Sequence, residues 1–322
     1  MSANDPSRPY LSIVVELDNW RHGEVPRAHR MLARVVEQVR AADDLRGRVE
    51  ILLMYDERGI ARSEIDDVLR PLVRAGDAPV EVVPTPGFRY YELKNAGGRR
   101  ARGDVLLFVD SDVIPEAAWL RRLVDSLRDP AVDIVAGNTY VDRDTFYAKT
   151  FALGWYFPAR LPDGPVVEAT PPCVNTIAIR RHVVEKYPFP EDPKLYMAQT
   201  TVWGQMLRDS GVRTHLNPAA RVAHPPPVFL RSAILQGYDL AQRTPQPGDG
   251  LGQTVRRCYW GLREDLREAF GKVRRGRREV GLPAALLPVS FALLGVYWTL
   301  WHAAELATRR WPRLIPHRYL DG

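Results

Sequence analysis

The sequence predicts an α/β protein with an open, mostly parallel β-sheet flanked by helices, followed by a C-terminal extension that is helical and partly apolar. Two observations support this. Short apolar runs rich in β-branched residues alternate with stretches of helical spacing through the first half of the chain. Residues 231–322 instead combine a basic segment with an apolar one. We therefore expect one domain over residues 1–230 and a second region over 231–322.

The alternation predicts the elements of the first domain in order. Apolar runs predict strands at residues 11–15, 49–55, 80–84, 104–109 and 132–138. Helical spacing predicts helices at residues 27–41 and 63–75, which would connect the first three strands. Ligands of such sheets collect at the carboxyl ends of the strands, so the residues that follow each strand are candidates for a site.

Asp110-Ser111-Asp112 directly follows the apolar run of the predicted fourth strand. Two aspartates at positions i and i+2 of an extended chain project to the same side. Mg²⁺ and Mn²⁺ prefer oxygen ligands, and Mg²⁺ is often held by one or two carboxylates together with waters and substrate phosphates. The tripeptide therefore predicts a Mg²⁺ or Mn²⁺ site that binds a diphosphate. The alternative is a solvated turn before a helix.

Residues 93–103, Leu-Lys-Asn-Ala-Gly-Gly-Arg-Arg-Ala-Arg-Gly, lead directly into that strand and predict a glycine-initiated helix. Together with the Asp-x-Asp, the segment resembles the family-2 glycosyltransferases of the GT-A fold, whose pattern is Ala-Arg-Asn-x-Gly-x-x-x-Ala-x-Gly. The resemblance implies a nucleotide-diphosphate sugar as donor, with Lys94 and Asn95 on the donor side. It also implies that Asp110 contacts donor and metal and that Asp112 binds the metal. The alternative is a short helix whose cations face water.

Two other strand ends supply donor-site candidates through the same resemblance. In the family, the segments after the first and second strands touch the nucleoside. Asp56 keeps the acidic residue after the second strand, so the resemblance implies that it accepts a hydrogen bond from the base. Glu16, after the first strand, departs from the family pattern and is either a donor ligand or a surface or helix-entry charge.

Two later segments complete the resemblance. Residues 172–181 are similar to a family segment that borders the acceptor site, which implies an acceptor-side role for Asn175. Apolar alternation toward a core explains the same residues without chemistry. Residues 219–227 are similar to the end of the family's catalytic domain, which implies that His224 completes the metal site or contacts the diphosphate. A simple loop histidine is the alternative.

The expected catalytic base is missing from its family position. Inverting members carry Glu-Asp where this chain has Gln199-Thr200, and neither of these side chains can accept a proton near neutral pH. Glu191 and Asp192, a few residues upstream, are weak candidates for the base. The expectation is an inverting, metal-dependent transfer to a hydroxyl acceptor, saccharide or lipid-linked, in cell-envelope or polysaccharide synthesis. The alternative is a catalytically degenerate protein that binds a nucleotide sugar.

Composition and the C-terminal region indicate an anionic partner. The formal net charge is +6, and residues 282–301 contain no charged side chain over about the length that a bilayer core requires. Basic flanks at residues 272–278 and 309–313 fit an in-plane helix or hairpin at an anionic leaflet at least as well as a single span. We expect the cytoplasmic side of the inner or plasma membrane. A buried helix or a dimer contact is the alternative.

Other classes of function fit the sequence less well. A nucleotidyltransferase would carry a glycine-rich phosphate loop near the first strand, and none is found there. The basic residues cluster beside the apolar stretch and not around a recognition motif, so no nucleic-acid partner is expected. Cys173 and Cys258 lack the C-x-x-C spacing of a zinc site, and a reducing cytoplasmic setting fits them.

Overall fold

The computed structural model describes residues 8–20, 25–157, 159–169, 173–192, 195, 199–244, 248 and 250–311. Pro172 of the acceptor-like segment and residues 312–313 of the second basic flank lie outside these ranges. The strands are β1 Leu11–Glu16, β2 Val49–Tyr55, β3 Val80–Pro84, β4 Val105–Asp110, β5 Ile114–Pro115, β6 Ile134–Val141, β7 Val167–Glu168, β8 Thr176–Arg180 and β9 His215–His224. The α-helices are α1 Val25–Arg40, α2 Arg62–Leu69, α3 Tyr90–Arg100, α4 Trp119–Ser126, α5 Phe146–Gly154, α6 Arg181–Lys186, α7 Gln199–Asp209, α8 Phe229–Arg243, α9 Leu251–Gly276 and α10 Leu287–Arg310.

One mixed sheet organises these strands in the order β3-β2-β1-β4-β8-β6-β9-β5, with β7 paired to β9. The first four strands run parallel, as the alternation of runs predicts. β8 pairs antiparallel with both β4 and β6, and β5 and β7 pair antiparallel with β9. The predicted α/β fold class is confirmed. The antiparallel pairing was not predicted, because pairing between strands distant in sequence, such as β4 and β8, leaves no local pattern, and β5 and β7 have only two residues each.

The central strands are buried on both faces, because helices cover both sides of the sheet. Successive side chains of β1 point to opposite faces. Ile13 and Val15 belong to an apolar cluster that includes the buried faces of α1 and α4. Val14 belongs to a second cluster, which includes residues of α3 and α7. Continuous burial of all six residues in β1 and in β4 explains why these runs are apolar without alternation.

Helix α3 begins at Tyr90, so the prediction of a glycine-initiated helix in this segment is wrong. Gly97 lies in the second half of the helix, where a Cβ would collide with Cγ1 of Val14 and approach Cγ of Met54 to 3.1 Å. The glycine therefore serves close packing of α3 on β1 and β2. This packing holds the helix beside the carboxyl ends of the parallel strands.

The chain forms two compact units. The first comprises Met1–Tyr140, Arg160–Glu191 and Thr200–His224, and the second comprises Val141–Ala159, Asp192–Gln199 and Pro225–Gly322. The boundary expected after residue 230 falls inside α8. The second unit begins its C-terminal part at Pro225 and also takes in α5, which is distant in sequence.

The second unit is helical. Tyr297 of α10 lies at its centre, where its hydroxyl accepts a hydrogen bond from Trp155 Nε1 at 2.9 Å and lies 3.0 Å from Ser232 Oγ. Pro288 occupies the first turn of α10, where a missing backbone N–H is tolerated. Among the described residues one helix, Ala284–Arg310, is long and apolar enough to cross a membrane by length and composition. The predicted helical, partly apolar extension is confirmed.

A buried charged cluster fixes α10 on α9. His302 Nδ1 lies 2.8 Å from Glu305 Oε2, and His302 Nε2 lies 2.8 Å from Asp265 Oδ2 of α9. Arg309 pairs with the other oxygen of Glu305 at 2.8 Å. Burial by itself lowers the pKa of His302, but hydrogen bonds to Asp265 and Glu305 outweigh burial and raise this pKa from 6.5 to about 9. The imidazole is therefore a cation between two carboxylates.

Replacing Gly97 with alanine is expected to lower the free energy of unfolding. Alanine gains roughly 0.5–1 kcal/mol of helix propensity over glycine, whereas overpacking a core costs about 1–3 kcal/mol. Because Val14 is fully buried in a central strand and cannot give way, overpacking dominates. Denaturant unfolding measures the change. Gly295→Ala, on a helix position with no atom within 4 Å of the new Cβ, is the control and should be neutral or stabilising.

The His302 cluster predicts that stability falls as the pH rises. The folded-state pKa of about 9 exceeds the ordinary value of 6.5, so the stabilisation is fully present below pH 6.5 and is lost as the pH rises toward 9. The difference in unfolding free energy between the wild type and His302→Gln should therefore shrink over this window, by a magnitude on the order of 2 kcal/mol. Denaturant unfolding at several pH values measures it. The exposed His182→Gln is the control, and a pH-independent difference for His302→Gln would contradict the assignment.

Candidate active site

Asp110, the last residue of β4, accepts hydrogen bonds from three side chains on two segments of the chain. Lys94 Nζ lies 2.6 Å from Oδ1, and Asn175 Nδ2 lies 2.6 Å from Oδ2. Tyr90 Oη reaches the two oxygens at 2.9 and 2.8 Å. Asp110 N also donates to the main-chain oxygen of Asn175 at 3.1 Å. The carboxylate is thus held rigidly at the end of the strand.

Lys94 is fully buried, and its ammonium lies 4.4 Å from the centre of the Tyr90 ring. Tyr90 and Lys94 stand four positions apart on α3, so both side chains leave the same face of the helix. The ammonium is paired with Asp110 inside the protein, and its expected contact with a diphosphate stays a prediction. A buried charge requires such a partner. Tyr90 was missed from the sequence, although its helical spacing from Lys94 was a usable signal.

Asp112 is differently placed from Asp110. Within the described part of the chain its Oδ1 is buried and has no hydrogen-bond partner, while its Oδ2 lies 3.6 Å from Nε2 of His224. Burial raises the pKa of Asp112, and the neighbouring His224 opposes this. The structure therefore brings together Asp112 and His224, two of the three residues that were expected to bind a metal, and leaves one carboxylate oxygen of Asp112 without a partner among the described residues.

Arg27 of α1 connects the two segments that carry this pair. Its Nε donates to the main-chain oxygen of Asp112, and its Nη2 donates to that of Ala223 at 2.8 Å. The same segments meet in the sheet, where Ile114 pairs with Ala223. The role of Arg27 was not predicted from the sequence. Its position one helical turn before buried Met31 places a cation on the apolar face of α1, which was the available signal.

Glu16 lies beside Asp110, because the parallel register of β1 and β4 pairs these two residues. Its Oε2 accepts a hydrogen bond from Asp18 N at 2.7 Å, and its buried Oε1 has no partner among the described residues. Burial, followed by the nearby charge of Asp110, raises the pKa of Glu16 well above its ordinary value. Ser111 Oγ and Trp20 Nε1 are also buried without a partner. Because buried polar atoms are almost always paired, these strand ends have the character of a ligand site.

The described residues supply a small number of suitable ligands for a divalent cation. The described residues contain no group of three or more His, Cys, Asp or Glu side chains arranged to hold a metal. Mg²⁺ needs few protein ligands, since one or two carboxylates with waters and phosphates satisfy it, and Mn²⁺ also accepts imidazole. Asp112 and His224 meet this requirement. Asp110 has both oxygens engaged by neighbouring side chains and would have to exchange a hydrogen bond to bind the ion.

Asp56 follows β2 and is partly exposed. Its Oδ1 accepts hydrogen bonds from Gly87 N at 2.8 Å and from Arg58 N at 3.1 Å. These bonds hold the loop after β3, in which Gly87 has a φ of 78°. One carboxylate oxygen thus has a structural role, and contact with a nucleoside base stays a prediction for the other.

Asn95 braces a turn in this structure. Its Nδ2 donates to Phe189 O at 2.8 Å and its Oδ1 accepts from Phe189 N at 3.0 Å. Nδ2 also lies 2.7 Å from Glu191 Oε1, and Arg99 approaches the same carboxylate oxygen at 3.8 Å. The motif position of Asn95 is therefore explained by packing, since the buried amide joins α3 to the turn at Phe189.

The residues at and near the expected base position have identifiable partners. Thr200 Oγ1 lies 2.5 Å from the hydroxyl of buried Tyr91. Gln199 Nε2 donates to Leu195 O at 2.9 Å and to the main-chain oxygen of Asp192 at 3.3 Å. Neither Gln199 nor Thr200 is a carboxylate. Gln199 contacts Asp192 through the main-chain oxygen of Asp192, and the assignment of Glu191 or Asp192 as the base stays a prediction.

Comparisons with solved structures bear on the fold. A mannosyltransferase, PcManGT from Pyrobaculum calidifontis, in complex with GDP-Man and Mn²⁺, has 18% sequence identity and a TM-score of 0.55, covering 97% of this chain and 90% of that chain. S. aureus TarS 1-349 in complex with UDP has 12% identity and a TM-score of 0.48, covering 93% of this chain and 91% of that one. The first likeness, at this identity, shows the fold.

Comparisons of sequence bear on the family. None of the curated proteins searched matches the chain. The model of Glycosyl transferase family 2 matches residues 23–187, slightly more than half of the 322 residues. This range contains the segment before β4, the Asp-x-Asp and Asn175, which carried the resemblance in the sequence. The chain therefore belongs to Glycosyl transferase family 2, and the protein is a glycosyltransferase.

Proposed function

We propose that this glycosyltransferase transfers a sugar from a nucleotide-diphosphate sugar to a hydroxyl acceptor and uses Mg²⁺ or Mn²⁺. The observation that carries the proposal is the unpartnered Oδ1 of Asp112 beside His224, at the sheet edge where Asp110 is held by three side chains. A buried carboxylate oxygen without a donor is costly unless a ligand completes it. The mannosyltransferase with GDP-Man and Mn²⁺ supports the choice of ligand class.

The site residues divide into two groups by their contacts. Asp112 and His224 would hold the cation, which when bound supplies positive charge for the leaving diphosphate. Lys94 and Asn175 hold the Asp110 carboxyl group oriented at the strand end, where it faces the donor. Glu16 contributes its free Oε1 to the donor side.

The acceptor side of the proposal follows from the family. Inversion at the sugar carbon is the family expectation, and Glu191 and Asp192 stay candidates for the base. The second candidate function is a degenerate protein that binds a nucleotide sugar without transferring it. Gln199-Thr200 favours it, because neither side chain can take the acceptor proton.

The proposed setting is the cytoplasmic side of the inner or plasma membrane, with a saccharide or lipid-linked acceptor of cell-envelope or polysaccharide synthesis. Helix Ala284–Arg310 supports a membrane partner through its length and apolar composition. The net charge of +6 supports attraction to anionic lipid. No nucleic-acid partner is proposed.

The donor assignment is tested by calorimetry with UDP, GDP and their sugars, with Mn²⁺ or with EDTA. The wild type should bind one nucleotide class more tightly with Mn²⁺, and sugar release in the presence of candidate hydroxyl acceptors should accompany it. Binding without sugar release from any acceptor supports the degenerate alternative. Equal affinity with Mn²⁺ and EDTA contradicts metal dependence.

Asp112→Asn should lower the Mn²⁺-dependent nucleotide affinity by about a hundredfold, because an amide is a weaker ligand than a carboxylate and outer-shell losses alone cost 10–100-fold. The affinity in EDTA should be unchanged. Asp67→Asn, which alters an exposed carboxylate on α2, is the matched control and should behave as the wild type. The assignment of Asp112 fails if its variant keeps the wild-type response to Mn²⁺.

Arg27→Lys should weaken the Mn²⁺-dependent affinity by about tenfold, because one ammonium cannot reproduce the fork that binds the carbonyls of Asp112 and Ala223. As a positioning residue, Arg27 should affect the metal response and not the affinity in EDTA. Arg30→Lys, on an exposed position of α1, is the control. Equal losses with Mn²⁺ and EDTA would indicate a general structural role. Titration of Mn²⁺ followed by electron paramagnetic resonance gives an independent reading.

A further inference from the structure

α10 is apolar on its exposed side as well as on most of its buried side, unlike a helix on the surface of a water-soluble protein. Such a helix normally faces water with its polar side and the core with its apolar side. The exposed face of α10 instead carries Leu286 from the preceding turn, Val289 and Val296, which are 36%, 54% and 53% exposed. Ala292 and Ala303 continue this face. Four polar side chains of the helix, those of Ser290, His302, Glu305 and Thr308, are buried. Thr299 is exposed within the apolar face, and its hydroxyl donates to Gly295 O at 2.7 Å.

A position in the core of the protein does not explain the exposed apolar face of α10. Only 28% of the most apolar window of Ala284–Arg310 is buried, whereas the core helix of a soluble protein would be mostly covered. The outward apolar face, defined as Leu286, Val289, Ala292, Val296 and Ala303, therefore requires an apolar surrounding outside the described chain.

The packing of α9 argues against a helix that crosses the bilayer. Phe270 of α9 contacts Phe291 with ring centres 4.6 Å apart, and Asp265 bonds His302, so α9 lies along most of α10. On its other side α9 exposes charged side chains, namely Arg263, Glu264, Arg267 and Glu268. A crossing α10 would carry these charges into the hydrocarbon, which is strongly unfavourable.

The buried charged cluster sets the rotation of α10 about its axis. His302 is bonded to Asp265 on α9, and Gly261 of α9 permits the approach, since a Cβ there would lie 2.8 Å from the imidazole. Arg309 closes the cluster through Glu305. Because His302 is held against α9, the side of the helix that carries Val289 and Val296 faces outward.

We propose that α10 lies in the plane of an anionic bilayer surface, with its outward apolar face at the boundary between headgroups and acyl chains. The inference rests on the membrane partner proposed above and specifies how it is bound. Exposed arginines flank the face at both ends, at Arg274, Arg275 and Arg278 before it and at Arg310 after it. They complement anionic headgroups, and exposed Trp311 suits the same interface. Two copies packed through this face would bring like charges together, so lipid is the better occupant.

Sedimentation of the full-length protein with vesicles tests the face. The wild type should bind phosphatidylglycerol–phosphatidylcholine vesicles more tightly than phosphatidylcholine alone. Val289→Asp/Val296→Asp should bind about tenfold more weakly or worse, since charges replace two exposed valines that would enter the lipid. The control Val166→Asp/Val167→Asp changes two exposed valines elsewhere and should bind normally. Equal binding by all three proteins overturns the proposal.

Depth measurements separate the in-plane helix from a span. Val289→Cys, Val296→Cys and Ala303→Cys place a fluorescent label at three positions about 10 Å apart along one face. Quenching by lipids with nitroxides at known depths should give one shallow depth for all three. A label at Val296 much deeper than the other two would show a span and overturn the proposal. The unmodified protein, with Cys173 and Cys258, gives the labelling background.

Two further readings keep the outcomes distinct. Sedimentation equilibrium without lipid should show the same association state for the wild type and for Val289→Asp/Val296→Asp. If the wild type self-associates and the double variant does not, the face binds a second copy of the chain and the proposal is overturned. Nucleotide binding with Mn²⁺ should be unchanged in the double variant. A protein that binds vesicles but no nucleotide leaves the lipid inference standing and contradicts the donor assignment.

Discussion

The buried ion pair between Lys94 and Asp110 is the interaction on which the candidate site depends. Both side chains are inaccessible to water, and removal of either leaves a charge whose burial costs about 3–5 kcal/mol. The pair joins α3 to the end of β4, and Asn175 extends it to the segment that enters β8. These contacts hold Asp110 rigidly, so the residues that follow it leave the sheet from a defined position.

The sheet brings the other site residues to this point through its register. Glu16 pairs with Asp110 across β1 and β4, and Ala223 pairs with Ile114 across β9 and β5. The second pairing brings β9, which lies more than a hundred residues further along the chain, close to Asp112 and places His224 beside it. Arg27 then ties both backbones with one guanidinium. Three distant segments thus hold Asp112 and His224, the two candidate ligands, side by side with little freedom to move.

The second unit meets a different physical constraint. Its central helix turns polar groups inward, where His302 lies between Asp265 and Glu305, and leaves apolar side chains outside. Other orientations of α10 would leave the charges of this cluster unpaired, so the cluster favours one orientation of the helix on α9. The same cluster that orients α10 on α9 thus determines that the outward apolar face is the exposed side of the helix.

The sequence by itself determined the fold class, the four parallel strands, the family and the position of Asp110 and Asp112, because buried strands and strand-end motifs are local in the chain. It also indicated the apolar helix at the C-terminus. Only the tertiary structure decided that Lys94 is buried against Asp110, that Asn95 braces a turn and that Asn175 contacts Asp110. The structure also supplied the partners of Tyr90 and Arg27, for which helical spacing in the sequence was a signal that identified no partner. The physical reason is that a side chain's partner is set by strand register and helix packing, which join residues far apart in sequence, so the pattern around one residue does not identify the other.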